Sequence, residues 1–161
     1  SCVPAQVDTL YRRILAAILT GNTDAHLKNF ALFHTSEGLR LTPSYDLVAA
    51  ATYKEFQTFA LSIAGAKNIK IGDIKPKHLV LLGESYGLSH MAIELAVNDL
   101  EKQLEKVKEI IYLTEDVSNG LKDKLIKLME KRWSGTFTSI GKHLLKRPSR
   151  GAKLSDFLSN D

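Results

Sequence analysis

Two long stretches of the sequence repeat apolar residues at intervals of three and four, which is the spacing of one buried face of an α-helix. The first begins after Pro4, whose fixed φ suits the first turn of a helix, and ends near Thr20 and Gly21. The second runs from Ser89, a residue that can cap a helix N-terminus, to Leu113. With 161 residues and 44% hydrophobic composition, the chain can bury one core. We therefore expect a mainly α-helical fold, as a single domain or as one lobe of a larger protein.

Shorter patterns complete this prediction. Three further segments have helical spacing: residues 75–86, 121–133 and 138–146. Short apolar segments at residues 30–33 and 39–41 flank a turn-forming stretch that ends in Gly38, which predicts a small β-hairpin. Residues 58–63 are predicted to form another short strand. The apolar face after Ser89 extends over fewer than three heptads, which favours core packing over a coiled-coil seam.

Composition excludes several classes of protein. No apolar run approaches the roughly 20 residues of a membrane-spanning helix, and no signal-peptide pattern precedes the first helix. We therefore expect a cytoplasmic protein without membrane contact. The only cysteine, Cys2, excludes an intrachain disulfide and a cysteine-based zinc site. Because the chain begins at Ser1 and the helical pattern starts almost at once, we also expect that it begins inside a longer protein.

Basic residues cluster near the C-terminus of a chain whose formal net charge is +4. They are Lys142, His143, Lys146, Arg147, Arg150 and Lys153. Such a cluster can bind phosphate or nucleic acid. No aromatic residues are interleaved there for base stacking, which favours a solvated basic surface. We predict that residues 149–161 form a basic and polar tail.

The segment of residues 21–30 carries the clearest chemical pattern, because Asp24 lies five positions before Asn29. A carboxylate within reach of a substrate hydroxyl can accept its proton as the hydroxyl attacks a γ-phosphate. An amide oxygen suits Mg²⁺, which prefers hard oxygen donors. Asp24 is therefore the candidate proton acceptor, and Asn29 is a candidate Mg²⁺ ligand.

A second carboxylate, Asp46, follows the predicted hairpin. The loop before a hairpin and the residue just after it lie at the same end of the two strands, so we expect Asp46 beside Asp24 and Asn29 as a second Mg²⁺ ligand. His26 and Lys28 add donor or cationic groups for phosphate binding. His26 is the better candidate, because it shares the side of Asp24 in an extended segment.

The same residues have a purely structural interpretation. Asn22, Thr23 and Asp24 are good helix-capping and turn-forming residues, and Asp46 can cap a following helix. Spacing alone leaves both interpretations open.

Residues 21–30 (GNTDAHLKNF) and 41–47 (LTPSYDL) together resemble the catalytic region of the HipA family of bacterial toxin kinases. These are Ser/Thr kinases with a distant protein-kinase-like fold. The resemblance implies a mainly α-helical C-terminal lobe with a small β-hairpin, belonging to a HipA-type α+β kinase fold and covering residues 1–148. The similarity extends over the helical remainder only in pattern and order.

The resemblance also implies roles for individual residues. Asp24 corresponds to the catalytic-loop aspartate, and Asn29 to a Mg²⁺ ligand. Asp46 corresponds to the metal-binding aspartate of the kinase DFG motif, with Leu47 in place of phenylalanine. His26 is implied to face the ATP phosphates.

Complete members of this family have an N-terminal lobe with a phosphate-covering loop and a strand lysine. The present sequence contains neither G-x-G-x-x-G nor G-K-[ST], and no strand pattern carrying a lysine precedes Asp24. We therefore interpret the chain as a C-lobe alone. Since phosphoryl transfer depends on positioning and charge stabilisation, we expect little or no activity from this chain by itself.

The implied cofactors are ATP and Mg²⁺. The implied partners are a HipB-like helix-turn-helix antitoxin and a protein substrate, which in this family can be an aminoacyl-tRNA synthetase. Contact with DNA would be indirect, through the antitoxin. Two other functions stay open: a non-catalytic helical module that docks an antitoxin or protein target, and a lobe of a small-molecule phosphotransferase that uses the same three residues.

Overall fold

The structure, a computed structural model, describes residues 4–145. Within this part the main elements are helices α1 (Pro4–Thr20), α2 (Pro76–Ser85), α3 (His90–Leu113), α4 (Asn119–Arg132) and α5 (Ile140–Leu145), with strands β1 (Leu32–Thr35) and β2 (Gly38–Leu41) between α1 and α2. The prediction of a mainly helical fold with one hairpin is confirmed. Residues 146–161, which include the predicted tail and most of the basic cluster, lie outside the described residues, as does Cys2.

Local capping chemistry defines the helix ends. Ser89 precedes α3, and its hydroxyl accepts a hydrogen bond from the backbone N–H of Ala92 at 3.2 Å. Ser118 does the same for α4, accepting from the N–H of Leu121 at 3.3 Å. These bonds satisfy N–H groups that have no partner inside the helix.

Helix α1 lies at the centre of the core and packs against α2, α3, α4 and β2. One of its faces is fully buried and includes Tyr11, Ile14 and Ile18. The hydroxyl of Tyr11 donates to the carbonyl oxygen of Leu79 in α2 at 3.0 Å, so this buried polar group is satisfied. Because α1 leads directly into residues 21–30, that segment starts from a helix that packs against several other elements of the core.

The hairpin is antiparallel, with Leu32 opposite Leu41 and Thr35 opposite Gly38. Gly38, at the end of the turn, has a φ of 126°, in the positive range that favours glycine. The hairpin is also attached to α1. The N–H of Leu41 donates to the side-chain oxygen of Gln6 at 2.8 Å.

The predicted strand at residues 58–63 is wrong. This segment makes only isolated bridges, Thr58 with Lys70 and Ile63 with Ala66. A tight turn follows Ile63, in which Ala64 has a φ of 51°. Among the residues that the structure describes, no neighbouring strand continues either bridge into a ladder. The apolar residues that suggested a strand are buried for another reason, since Phe59 and Ile63 belong to the helical core.

The last predicted helix also begins later than expected. A π-helical turn, Trp133–Phe137, separates α4 from α5. The rings of Trp133 and Phe137 stack at a centroid distance of 5.2 Å, which holds this wider turn against the core. Among residues 4–145, none of the helices combines the length and apolar character that a membrane crossing requires.

Candidate active site

The candidate catalytic loop, residues 21–30, begins where the chain leaves α1. Gly21 has a φ of 83°, a left-handed conformation that favours glycine. The N–H groups of Gly21 and Asn22 both donate to the carbonyl oxygen of Ala17, at 3.0 and 2.8 Å. This glycine ends the helix and turns the loop away from the helix axis.

The loop is joined to the segment that follows Asp46 by backbone hydrogen bonds. The N–H of Ala51 donates to the carbonyl oxygen of Gly21 at 3.0 Å, and the N–H of Ala60 donates to that of Thr23 at 2.9 Å. The hydroxyl of Thr23 donates to the carbonyl oxygen of Phe56 at 2.7 Å. These bonds determine the position of the loop backbone without involving its carboxylate.

Asp24 is exposed, whereas its neighbours Thr23 and Ala25 are buried. The carbonyl oxygen of Asp24 accepts from the N–H of His26 at 2.7 Å. Within residues 4–145 the Asp24 carboxylate has no hydrogen-bond partner. It is therefore an accessible acceptor on a fixed backbone.

Asn29 and Asp46 are in direct contact. Asn29 ends a 3₁₀ turn, Leu27–Asn29, and is only 8% exposed. Its side-chain N–H donates to a carboxylate oxygen of Asp46 at 2.8 Å. The sequence placed Asp46 beside Asn29 because of the hairpin between them, and the structure brings these two side chains together.

The backbone at Asp46 is unusual, with a φ of 54°. Few residues other than glycine adopt this conformation, although aspartate tolerates it better than most. No α-helix follows directly, so the alternative of Asp46 as a helix cap is wrong. Two contacts join the segment around Asp46 to the loop. The Tyr45 hydroxyl donates to the carbonyl oxygen of Lys28 at 2.5 Å. The side-chain amide nitrogen of Asn22 lies 3.5 Å from the carbonyl oxygen of Asp46.

Three buried polar atoms of the loop have no hydrogen-bond partner within the described residues: Oδ1 of Asn22, Nδ1 of His26 and Oδ1 of Asn29. A buried polar atom without a partner costs roughly 1 to 3 kcal/mol. Buried polar atoms of this kind are normally bonded to water or to a ligand when the protein itself supplies no partner. Asn29 contributes both to this group and to the contact with Asp46.

The two residues predicted to contact phosphate differ in exposure. His26 is partly buried, and Lys28 is exposed. Within residues 4–145, the structure records no bond from either side chain, or from the Asp24 carboxylate, to Asn29 or Asp46. The direct contact in the candidate site is therefore the Asn29 and Asp46 pair.

Arg132, at the end of α4, lies beneath the loop and was not singled out by its sequence pattern. It is 8% exposed, and its guanidinium donates to the carbonyl oxygen of Leu19 at 3.0 Å. Burial lowers its pKa to about 10, so the group remains cationic at neutral pH. A basic residue in the last turn of an amphipathic helix usually indicates a solvated helix end, so the sequence contained no signal for this role.

The donor set fits a hard divalent cation. An unpartnered amide oxygen on Asn29 and a carboxylate on Asp46 are ligands of the type that Mg²⁺ prefers, and Mg²⁺ commonly uses one or two protein groups together with phosphate oxygens and water. Among the described residues there is no group of three or more histidines, cysteines and acidic residues that could hold a metal. The pair supplies two oxygen ligands of the kind that Mg²⁺ uses.

The chain is similar to two proteins whose names refer to kinases. A Haemophilus influenzae protein named "Putative kinase" is 29% identical over 121 residues, covering 66% of this chain and 35% of the relative. The serine/threonine-protein kinase toxin HipA of Shewanella oneidensis is 49% identical over 47 residues, covering 29% of this chain and 11% of the relative. The chain thus spans about a third or less of these relatives.

A solved structure supports the fold. The HipA, HipB and operator DNA complex of Shewanella oneidensis MR-1 contains a chain that matches with a TM-score of 0.68 and 24% identity, over 84% of this chain and 33% of that one. At this identity the likeness shows the fold alone, and it confirms the predicted HipA-type fold. The HipA-like C-terminal domain family matches residues 2–112. The chain therefore belongs to the HipA-like C-terminal domain family.

Proposed function

We propose that this chain is the catalytic lobe of a Ser/Thr protein kinase that uses ATP and Mg²⁺. In this proposal Asp24 accepts the proton of the substrate hydroxyl, and Asn29 and Asp46 hold the ion. The observation that carries it is the 2.8 Å contact between Asn29 and Asp46, combined with the unpartnered buried oxygen of Asn29. This oxygen needs a partner, which a bound cation would supply.

The chemical step needs little from the protein beyond positioning. The Asp24 carboxylate orients the substrate hydroxyl and takes its proton as the hydroxyl oxygen bonds to the γ-phosphorus and the bond to the ADP oxygen breaks. When bound, Mg²⁺ neutralises charge on the phosphate oxygens. His26 and Lys28, on the same loop, are proposed to contact the phosphates. The exposure of Asp24 on a fixed backbone supports its role.

The remaining part of the nucleotide site is proposed to come from sequence outside this chain, which covers 35% or less of the two named relatives. By itself the chain is expected to show little or no kinase activity. An antitoxin of the HipB type is a proposed partner, because the structural neighbour is a complex of HipA with HipB and operator DNA. A protein substrate, indirect DNA contact and a cytoplasmic location belong to the same proposal.

The metal site can be tested on the chain itself. We expect Mn²⁺, used as a spectroscopic substitute for Mg²⁺, to bind in the presence of ADP, and we expect D46N and N29A each to weaken binding at least about tenfold. Electron paramagnetic resonance measures the free ion directly. D116N is the matched control, because Asp116 is also exposed and has a φ of 60°. Equal binding by D46N and D116N would remove the metal site from the proposal.

An experiment that identifies the phosphoryl acceptor requires a longer protein, in which this chain is joined to a nucleotide-covering lobe. Transfer of ³²P from γ-labelled ATP to protein, abolished by D24N, is the expected result. Transfer to a metabolite would instead indicate a small-molecule phosphotransferase. Antitoxin binding that survives D24A, without any phosphoryl transfer by the wild-type protein, would indicate a non-catalytic binding module.

A further inference from the structure

Helix α4 carries a buried basic side chain at each end. Lys122, near its start, is 8% exposed and donates to the carbonyl oxygen of Tyr112 at 3.0 Å. Arg132, at its end, is equally buried and donates to the carbonyl oxygen of Leu19. Each acceptor lies in the last turn of another helix, α3 for Tyr112 and α1 for Leu19, where carbonyl groups lack intrahelical partners and the helix dipole is negative.

The two ends of α4 differ in what lies next to the cation. Beside Arg132 is Gly21, the first residue of the candidate catalytic loop. A Cβ atom added to Gly21 would lie 2.7 to 2.9 Å from three atoms of the guanidinium. The planar group therefore lies against the backbone of Gly21, in space that any side chain at position 21 would occupy.

We propose that Arg132 is a positioning residue for the active site, whose guanidinium holds Gly21 so that the loop bearing Asp24 and Asn29 meets the segment bearing Asp46. This inference rests on the proposed function. It concerns a residue outside the family match, which covers residues 2–112.

The position of Gly21 affects both sides of the site. Its carbonyl oxygen accepts the N–H of Ala51 at 3.0 Å, which joins the start of the loop to the segment after Asp46. Three residues after Gly21 comes Asp24. A displacement at Gly21 therefore moves Asp24 and Asn29 relative to Asp46.

The chemistry of arginine suits this role better than that of lysine. A guanidinium is planar, donates in fixed directions and is less strongly hydrated than an ammonium, so it can be buried against a backbone. Within residues 4–145 no carboxylate pairs with Arg132, and the last turn of α1 supplies the compensating negative potential. A lysine would keep the charge but lose the flat surface that faces Gly21.

The test compares R132M and R132K with K122M, in which a buried basic residue of the same helix is removed about 15 Å away along its axis. Amide hydrogen exchange at Ala51, followed by NMR, reports the loop directly. Mn²⁺ affinity with ADP reports the site, and thermal melting reports overall stability. We expect R132M to speed exchange at Ala51 about tenfold and to weaken Mn²⁺ binding about tenfold.

K122M is expected to lower the melting temperature while leaving the other two readouts at wild-type values. R132K is expected to fall between wild type and R132M. If R132M and K122M give the same exchange at Ala51 and the same Mn²⁺ affinity, Arg132 is only a stabilising residue and the inference is wrong.

Failure of the proposed function would look different. If the wild-type chain binds no Mn²⁺, the proposed metal site is wrong. Amide exchange at Ala51 in the Arg132 variants still shows whether Arg132 positions the loop. If R132M does not fold, R132K decides the question, because it keeps the charge. Wild-type exchange at Ala51 in R132K would then overturn the inference.

Discussion

The two faces of the candidate catalytic loop are built differently. On the face towards the core, Asn22, Thr23 and Asn29 are buried and the backbone is held by hydrogen bonds from residues 51 and 60. The outer face consists of Asp24 together with Asp46 from the neighbouring segment, and both residues are exposed. The difference shows how a reactive group can be accessible and still be well positioned, since the buried face determines where the exposed carboxylates lie.

The buried face is itself incompletely satisfied. The described residues leave three of its polar atoms without partners, although most buried polar groups in proteins are bonded. The outer face holds a second source of strain, in the left-handed conformation of Asp46. Both features are of the kind that costs stability when no bound group offsets them.

The largest expected effect is a loss of catalytic rate on substitution of Asp24, on the outer face. In a complete kinase that contains this chain, D24N should lower the rate of phosphoryl transfer about 10²- to 10⁴-fold. Because the Asp24 carboxylate has no bond within residues 4–145, the melting temperature should not change. Steady-state kinetics and thermal melting measure the two effects. A rate loss that matches a loss of folded protein would show that Asp24 belongs to the buried face instead.

The next largest effect is a loss of stability on truncating a side chain of the hydrophobic core. F137A should lower the free energy of unfolding by about 3 to 5 kcal/mol, because truncating a buried aromatic side chain leaves a cavity. Phe137 is 1% exposed and stacks on Trp133. The control is F33A on β1, where the side chain is 55% exposed and the loss should be small. Urea unfolding measures both. Similar losses would mean that Phe33 is also buried in solution.

A smaller effect separates backbone strain from steric conflict at the start of the loop. G21A and G87A both place alanine at a positive φ, 83° and 77°, but only position 21 meets the guanidinium of Arg132. G87A should cost about 1 kcal/mol for the backbone conformation, and G21A about 2 to 3 kcal/mol, since both effects apply. Equal costs in chemical denaturation would show that Arg132 moves aside freely.

The smallest effect tests one bond of the buried face. T23V removes a hydroxyl on a buried residue that donates to the carbonyl oxygen of Phe56, and it should cost about 1 kcal/mol, because water only partly replaces this part-buried bond. In T35V the lost bond, to the carbonyl oxygen of Gly38, is exposed and water can replace it. That control should change stability by less than about 0.5 kcal/mol. Equal losses in the two variants would show that the loop bond is not protected from solvent.

The predictions that succeeded depended on local chemistry. Ser89 caps α3 because its hydroxyl meets an N–H three residues away, and a short hairpin necessarily returns Asp46 to the level of Asn29. The predicted strand at residues 58–63 failed because a strand needs a partner, and sequence pattern does not show which segment lies alongside. The apolar pattern there reflects contact with helices.

The sequence by itself determined the helices, the hairpin and the residues of the candidate site, since these depend on periodicity and on groups close together in the chain. Only the tertiary structure decided that Asn29 keeps a buried unpartnered oxygen, and that Arg132 reaches the carbonyl of Leu19 across 113 residues. The physical reason is that burial and helix-end electrostatics arise from which surfaces pack together. Neither property can be read from the spacing of residues along the chain.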